Sequence, residues 1–221
     1  MPTPAAPRAL FFPGRLGPRL ALLVTGLTLY GLSLRLMLNA HVGVAPWEVL
    51  HVGITRWAPL SVGAVSILTG VVIVAFTALR LQERLGLGTL LNVLLIGAFL
   101  DLFATVVPEP AALPLRWAQF LAGVALLGLA TGAYVGAGLG AGPRDGLTLA
   151  LRRVTGWPVP RIRTGVEVAV LLAGWALGGP IGWGTLVFAL TVGPAMGWGL
   201  RLFQPLQRRL NRSARAAEAA S

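Results

Sequence analysis

The chain has 221 residues, of which 56% are hydrophobic and only 11% charged, and its mean hydropathy is +0.78. Soluble domains carry roughly a quarter charged residues, so a water-soluble enzyme and a disordered protein are both excluded at the outset. The net charge of +11 comes entirely from arginine. With no lysine and abundant Ala, Gly and Pro, this balance reflects residue usage rather than a nucleic-acid surface. There is no cysteine, hence no disulfide or thiolate metal site, and two histidines are too few for a structural metal centre. Neither a metal nor a cofactor is expected.

In chain order, residues 1–18 read as a Pro- and Arg-containing cytoplasmic tail. A first apolar helix then runs from Leu20 to about Leu38 without a cleavage site after it. Further continuous apolar stretches cover Val62–Leu79, Gly88–Val107, Trp117–Leu139, Arg163–Leu177 and Trp183–Phe203. They do not alternate with period two, so helices are expected rather than a barrel. Six spans result. Two further segments, Pro46–Trp57 and Pro143–Thr155, reach only about 18–20 Å as helices, short of a hydrocarbon core of about 30 Å. Each starts at a proline placed where a first helical turn tolerates one. Residues 204–221 form a basic tail, and Arg201–Arg215 suit an anchor beside anionic lipid.

With an inward N-terminus and six spans, fifteen Arg residues fall on the cytoplasmic side and two, Arg56 and Arg116, outside. The positive-inside rule thus puts both termini in the cytoplasm of a bacterial inner membrane. An eight-span count satisfies the charges almost as well, and length favours six.

The halves repeat each other. At an offset of 97, Gly26, Gly31, Gly43 and Pro46 recur as Gly123, Gly128, Gly140 and Pro143, and Glu48 falls on Asp145. At an offset of 96, Gly86, Gly88, Thr89 and Gly97 recur as Gly182, Gly184, Thr185 and Gly193. Each unit, residues 19–107 and 115–203, is a span, a glycine loop, a short helix and two more spans. Three crossings per unit make the second copy inverted, the plan of many secondary transporters. The expected fold is an all-α polytopic membrane protein of six transmembrane helices in two inverted three-span repeats. Each repeat carries a half-helix led by a Gly-x-x-Pro-x-acid loop.

The paired signatures Gly43-Val44-Ala45-Pro46-Trp47-Glu48 and Gly140-Ala141-Gly142-Pro143-Arg144-Asp145-Gly146 resemble those of the YczE/YitT-type bacterial integral membrane proteins. The resemblance covers about residues 20–205. It implies a small inner-membrane protein of a group often called permeases or transporters, and it brings no substrate with it.

Glu48 and Asp145 are the leading site candidates, with Gly43, Pro46, Gly140, Pro143 and His51 around them. On a structural reading, each acid complements the free N–H groups of its own first helical turn. On a functional reading, the two carboxylates meet near the midplane and bind a proton, a cation or a basic group of a solute. His51 follows Glu48 by three residues on one helical face, as a relay or as a simple contact. Arg35 and Asp101 lie at matched depth and form a candidate structural ion pair, while Glu167 has Arg163, Arg144 and Arg153 near its own level. Asn92 and Thr89 read as interhelical hydrogen-bonding groups. His41 flanks the first short helix. Gly128, Gly132, Gly136 and Gly140 make a small-residue stripe, packing within the chain or against a second copy in a homodimer. Trp57, Trp117, Trp157 and Trp183 sit at expected span ends.

No catalytic motif is present. Function therefore reads as a secondary transporter or permease for a small unknown solute, with the lipid bilayer as its surroundings. The alternative is a non-transporting assembly or regulatory subunit.

Overall fold

The computed structural model describes residues 16–83 and 86–219, the side chains of 212–219 excepted. Most of the expected N-terminal tail, Arg84, and the side chains of Arg212 and Arg215 lie outside the described residues. The described chain is all-helical. In order come α1 (Leu16–Asn39), α2 (Pro46–Thr55), α3 (Val62–Leu81), α4 (Leu87–Leu102) continued by a 3-10 turn (Phe103–Thr105), and α5 (Leu113–Gly136). They are followed by α6 (Pro143–Thr155), α7 (Val159–Ala176) and α8 (Trp183–Ala219).

Five helices are long and apolar enough to cross a membrane: α1, α3, α4 with its 3-10 turn, α5, and α8 as far as Asn211. Among the sequence-expected spans, the one beginning at Arg163 differs. α7 has 18 residues but includes Arg161, Arg163 and Glu167, and is not among the five. The short segments are helices that begin at Pro46 and Pro143, as expected, and α2 stops at Thr55, two residues before the anticipated end. α8 continues to Ala219 through Pro194 and Pro205, so the residues after Phe203 belong to the same helix.

The local chemistry explains the boundaries. Ser61 caps α3 by accepting a hydrogen bond from Ala64 N at 3.1 Å. α6 closes on Gly156 in the left-handed conformation (φ +71°), where a side chain would be strained. The loops before the two short helices turn on Gly43 (φ +122°) and Gly140 (φ +135°).

The core is the crossing of α1 with α5. Leu23, Leu27, Leu34 and Met37 face Phe120, Val124 and Leu127, all buried. Large apolar side chains on the outer faces of α3, α4 and α8, such as Val72, Leu79, Leu94 and Leu190, are exposed. In water this surface would be costly, and in lipid it is matched to its surroundings.

Contacts come in pairs at the repeat spacing. Gly26 of α1 lies against the Tyr134 backbone of α5, where a Cβ would stand 2.6 Å from Tyr134 N. Gly123 of α5 lies against Met37 of α1, with a corresponding 2.8 Å to Met37 Cγ. Gly31 meets Phe99 just as Gly128 meets Ala195. The loop of one half docks on the other half. Gly184 N donates to Val42 O at 2.7 Å, and Gly88 N donates to Leu139 O at 2.8 Å. Likewise α2 packs on α7, and α6 on α3.

The pairing fails at one place. α3 packs along α4 through Gly63 and Gly97, whereas α7 and α8 meet through side chains, Arg163 Nη2 donating to Met196 Sδ at 3.4 Å, without a close backbone crossing. The positions matching Gly63 and Gly70 are Pro160 and Glu167, too large for a glycine crossing, and Gly193 on α8 has nothing within 4 Å.

Candidate functional site

The glycine loops set the site. A Cβ on Gly43 would stand 2.7 Å from Thr185 N, and one on Gly140 would stand 3.0 Å from Thr89 Oγ1, so only glycine lets the loops seat this closely. Thr185 Oγ1 accepts from Val44 N at 3.2 Å, and Thr89 Oγ1 donates to Ala141 O at 2.7 Å. These bonds aim the first turns of α2 and α6 at each other.

Between them lies a cavity of about 90 Å³. Its wall takes matching positions from both halves: Trp47 and Arg144, His51 and Thr148, Ser66 and Arg163, Asn92 and Phe188. Pro46, Pro143 and Asp145 also line it. Glu48 does not line it. The carboxylate lies one layer behind, 1% exposed, and its Oε1 accepts from Arg144 Nη2 at 3.0 Å. The Arg144 guanidinium also stands over the Trp47 ring, 4.8 Å from its centroid. His51, equally buried, places Nδ1 4.0 Å from Glu48 Oε1. Glu48 Oε2 and His51 Nδ1 are both buried without a hydrogen-bond partner. Asp145 is held differently: its Oδ2 accepts from the Tyr134 hydroxyl at 2.7 Å, and the Tyr134 ring meets Tyr30 edge-on at 6.1 Å.

The two expected acids thus reach one cluster from opposite sides, one on the wall and one behind it. Arg144, grouped by level with Glu167 in the sequence, is the partner of Glu48 instead. The turn of the Gly140–Pro143 loop points it inward from the start of α6. Glu167 pairs with Arg163 one turn back at 3.1 Å, and Arg153 pairs with Glu83 at 2.8 Å. Arg144, Trp47, Tyr134 and Tyr30 are the site residues that sequence reasoning did not single out. One available signal was that Trp47 and Arg144 occupy the same position of the two signatures. Tyr134 matches Met37, so the repeat gave no sign of it.

Arg35 and Asp101 approach to 3.9 Å at their closest, but each makes shorter bonds elsewhere. Asp101 accepts from Ser61 Oγ at 2.5 Å and Gly63 N at 2.9 Å, while Arg35 Nε donates to Leu100 O at 3.0 Å. His41 pairs with Glu109 at 3.1 Å on the surface, outside the site. Gly128 and Gly132 of the small-residue stripe pack against α8 at Ala195 and Gly199, while Gly140 serves the loop. Trp57, Trp157 and Trp183 are exposed, and Trp117 packs on Phe120 at 5.8 Å. Among the described residues, no three His, Asp or Glu side chains are grouped to hold a metal.

Residues 17–201 match the model of a family of unknown function (DUF6198). An uncharacterized membrane protein, YczE of Bacillus subtilis, is 40% identical over 164 residues, 74% of this chain and 76% of that one. The chain belongs to the YczE-type family of membrane proteins. An uncharacterized protein of Haemophilus influenzae is 34% identical over 188 residues, covering 85% of each chain. YyaS of Bacillus subtilis, also uncharacterized, is 27% identical over 187 residues, 83% of this chain and 91% of that one. No solved structure matches. For a YczE-type chain, the matched region takes in the whole of the cavity wall.

Proposed function

We propose that this YczE-type protein is a secondary transporter for a small solute in the bacterial inner membrane. In this reading the chain is two inverted three-span repeats, α7 is the sixth crossing, and both termini are cytoplasmic. α2 and α6 are half-helices that enter from opposite faces. The observation that carries the reading is the cavity between the first turns of α2 and α6, walled by matching positions of both halves. Secondary transporters bind at such a repeat interface, where broken helices present free N–H groups and loop carbonyls. Two of the three charges on α7, Arg163 and Glu167, bond to each other and line the cavity, which reduces their cost in a span.

Cysteine labelling tests this directly, since the chain has no native cysteine. Trp57→Cys at the end of α2 is expected to react with an impermeant reagent only from the periplasm, and Val154→Cys at the end of α6 only from the cytoplasm. Ser66→Cys on the cavity wall is expected to react from either side as the protein alternates. Labelling of Trp57→Cys and Val154→Cys from one common side would overturn the inverted repeat. Labelling of Ser66→Cys from one side only would overturn transport.

One observation favours the rival reading of a non-transporting subunit. α7 and α8 lack a close backbone crossing, and Gly165 on α7 and Gly193 on α8 each have nothing within 4 Å, small-residue surface that would receive a partner helix. A stoichiometric membrane partner retained through purification, and lost in Gly193→Leu, would support it.

A further inference from the structure

Around the cavity, three carboxylates (Glu48, Asp145, Glu167) face two guanidiniums (Arg144, Arg163), so the cluster is one positive charge short when His51 is neutral. An uncompensated charge at this depth is expensive, and proteins resolve it with a counter-charge. Arg144 already matches Glu48 and Arg163 matches Glu167, while Asp145 has the Tyr134 hydroxyl; the atoms left without any partner are Glu48 Oε2 and His51 Nδ1, adjacent on α2 and both buried. They offer two ligand atoms and no third acidic or imidazole group, too few for a metal ion. Glu48 lies behind the cavity wall, so an organic cation has no room beside it. A proton needs neither a shell nor space.

We infer that Glu48 and His51 form a proton-binding pair that supplies the driving ion of the proposed transport cycle, with Arg144 competing for the same carboxylate. This rests on the transporter reading above and names its coupling ion. With the proton absent, Glu48 is ionised and holds Arg144 at 3.0 Å. A proton delivered by hydronium, whose O–H bond breaks to leave water, forms an N–H bond at His51 Nδ1. The imidazolium then closes the 4.0 Å gap and donates to the Glu48 carboxylate, and the Glu48–Arg144 hydrogen bond breaks. The released guanidinium is already part of the cavity wall and turns toward the solute. Arg144 contacts Glu48 directly, and the charged and titratable groups that share the cavity wall with His51 are Arg144 and Asp145 from α6, Arg163 and Glu167 from α7, Tyr30 from α1 and Tyr134 from α5. The α3 wall adds only the hydroxyls of Ser66 and Thr69.

The chain has two histidines, and the other, His41, is exposed on the surface. His41→Gln therefore leaves a folded protein with a single imidazole, readable by nitrogen NMR of labelled histidine in lipid nanodiscs without any solute. The expected result is one titration step at His51, accompanied by uptake of one proton per chain. Arg144→Gln removes a competing positive charge and should raise the midpoint by about one pH unit, tenfold tighter proton binding, while Arg144→Lys keeps it near the native value. Glu48→Gln should lower the midpoint or abolish the step. A His51 signal that stays flat across the folded range, or a step indifferent to both Glu48→Gln and Arg144→Gln, would overturn the inference. Because no solute is used, that failure leaves transport standing if Ser66→Cys still reacts from both sides.

Discussion

Trp47 and Arg144, which hold the same place in the two loop signatures, lie against each other, the guanidinium 4.8 Å from the ring centroid. Where one half carries an aromatic face, the other carries a cation that fits it, so the halves join through their difference rather than their likeness. The same guanidinium reaches Glu48, binding the acid of the first half to the helix start of the second.

This double engagement makes Arg144 the costliest side chain of the site to remove. Arg144 is 29% exposed and Glu48 only 1%, so removing the guanidinium strands a buried carboxylate, at a cost of up to about 3–5 kcal/mol. Arg144→Gln is expected to lower the thermal midpoint in detergent markedly. The Glu48→Gln/Arg144→Gln double variant should recover most of that loss. A double variant no more stable than Arg144→Gln alone would count against the stranded-charge account.

Tyr134→Phe removes only a hydroxyl, yet that hydroxyl holds Asp145 at 2.7 Å. Hydrogen bonds to charged groups contribute about 1.5–3 kcal/mol, and a loss of that order is expected in chemical denaturation. Tyr30→Phe makes a suitable comparison. The Tyr30 ring only abuts Tyr134, and its hydroxyl makes no hydrogen bond to either acid, so a smaller effect is expected.

Two pairs of glycines should respond in opposite directions to alanine. At Gly43 and Gly140 the backbone is left-handed and a Cβ runs into the facing half, so Gly43→Ala and Gly140→Ala should destabilise and disturb the cavity. Gly165 and Gly193 lie in helices with nothing within 4 Å, and alanine there should be neutral or stabilising by up to about 1 kcal/mol. Expression and melting of the four single variants decide this.

Asp101 is expected to act through the start of α3 more than through Arg35. The Asp101 carboxylate accepts from Ser61 Oγ and Gly63 N, while Arg35 stands off at 3.9 Å. Ser61→Ala should cost about 1 kcal/mol as a lost cap, and Ser61→Ala with Asp101→Ala should cost less than the two separately, since they share one network. Arg35→Gln should leave that coupling intact.

Much of the fold was legible because it depends on local chemistry. Proline at a first turn, glycine at a left-handed loop and continuous apolar stretches each act within a few residues, and α2 and α6 begin at Pro46 and Pro143 accordingly. The spacing match between the halves falls on the same kinds of residue, the glycines and prolines whose roles are local. α7 was harder. Arg163 and Glu167 interrupt its apolar run, and they bond to each other beside the cavity, which is not a property of the segment itself.

Composition and spacing alone determined that this is an all-helical membrane chain with two proline-led short helices bearing acids. Which groups those acids would meet was decided only when α6 packed on α3 and α2 on α7. Arg144 lies 96 residues from Glu48, and the bond between them exists because two glycine loops dock on opposite halves. Hydrophobic pattern acts along the chain and is written in it. The pairing of buried charges acts across space in a low-dielectric interior, and it is set by the fold that brings them within reach.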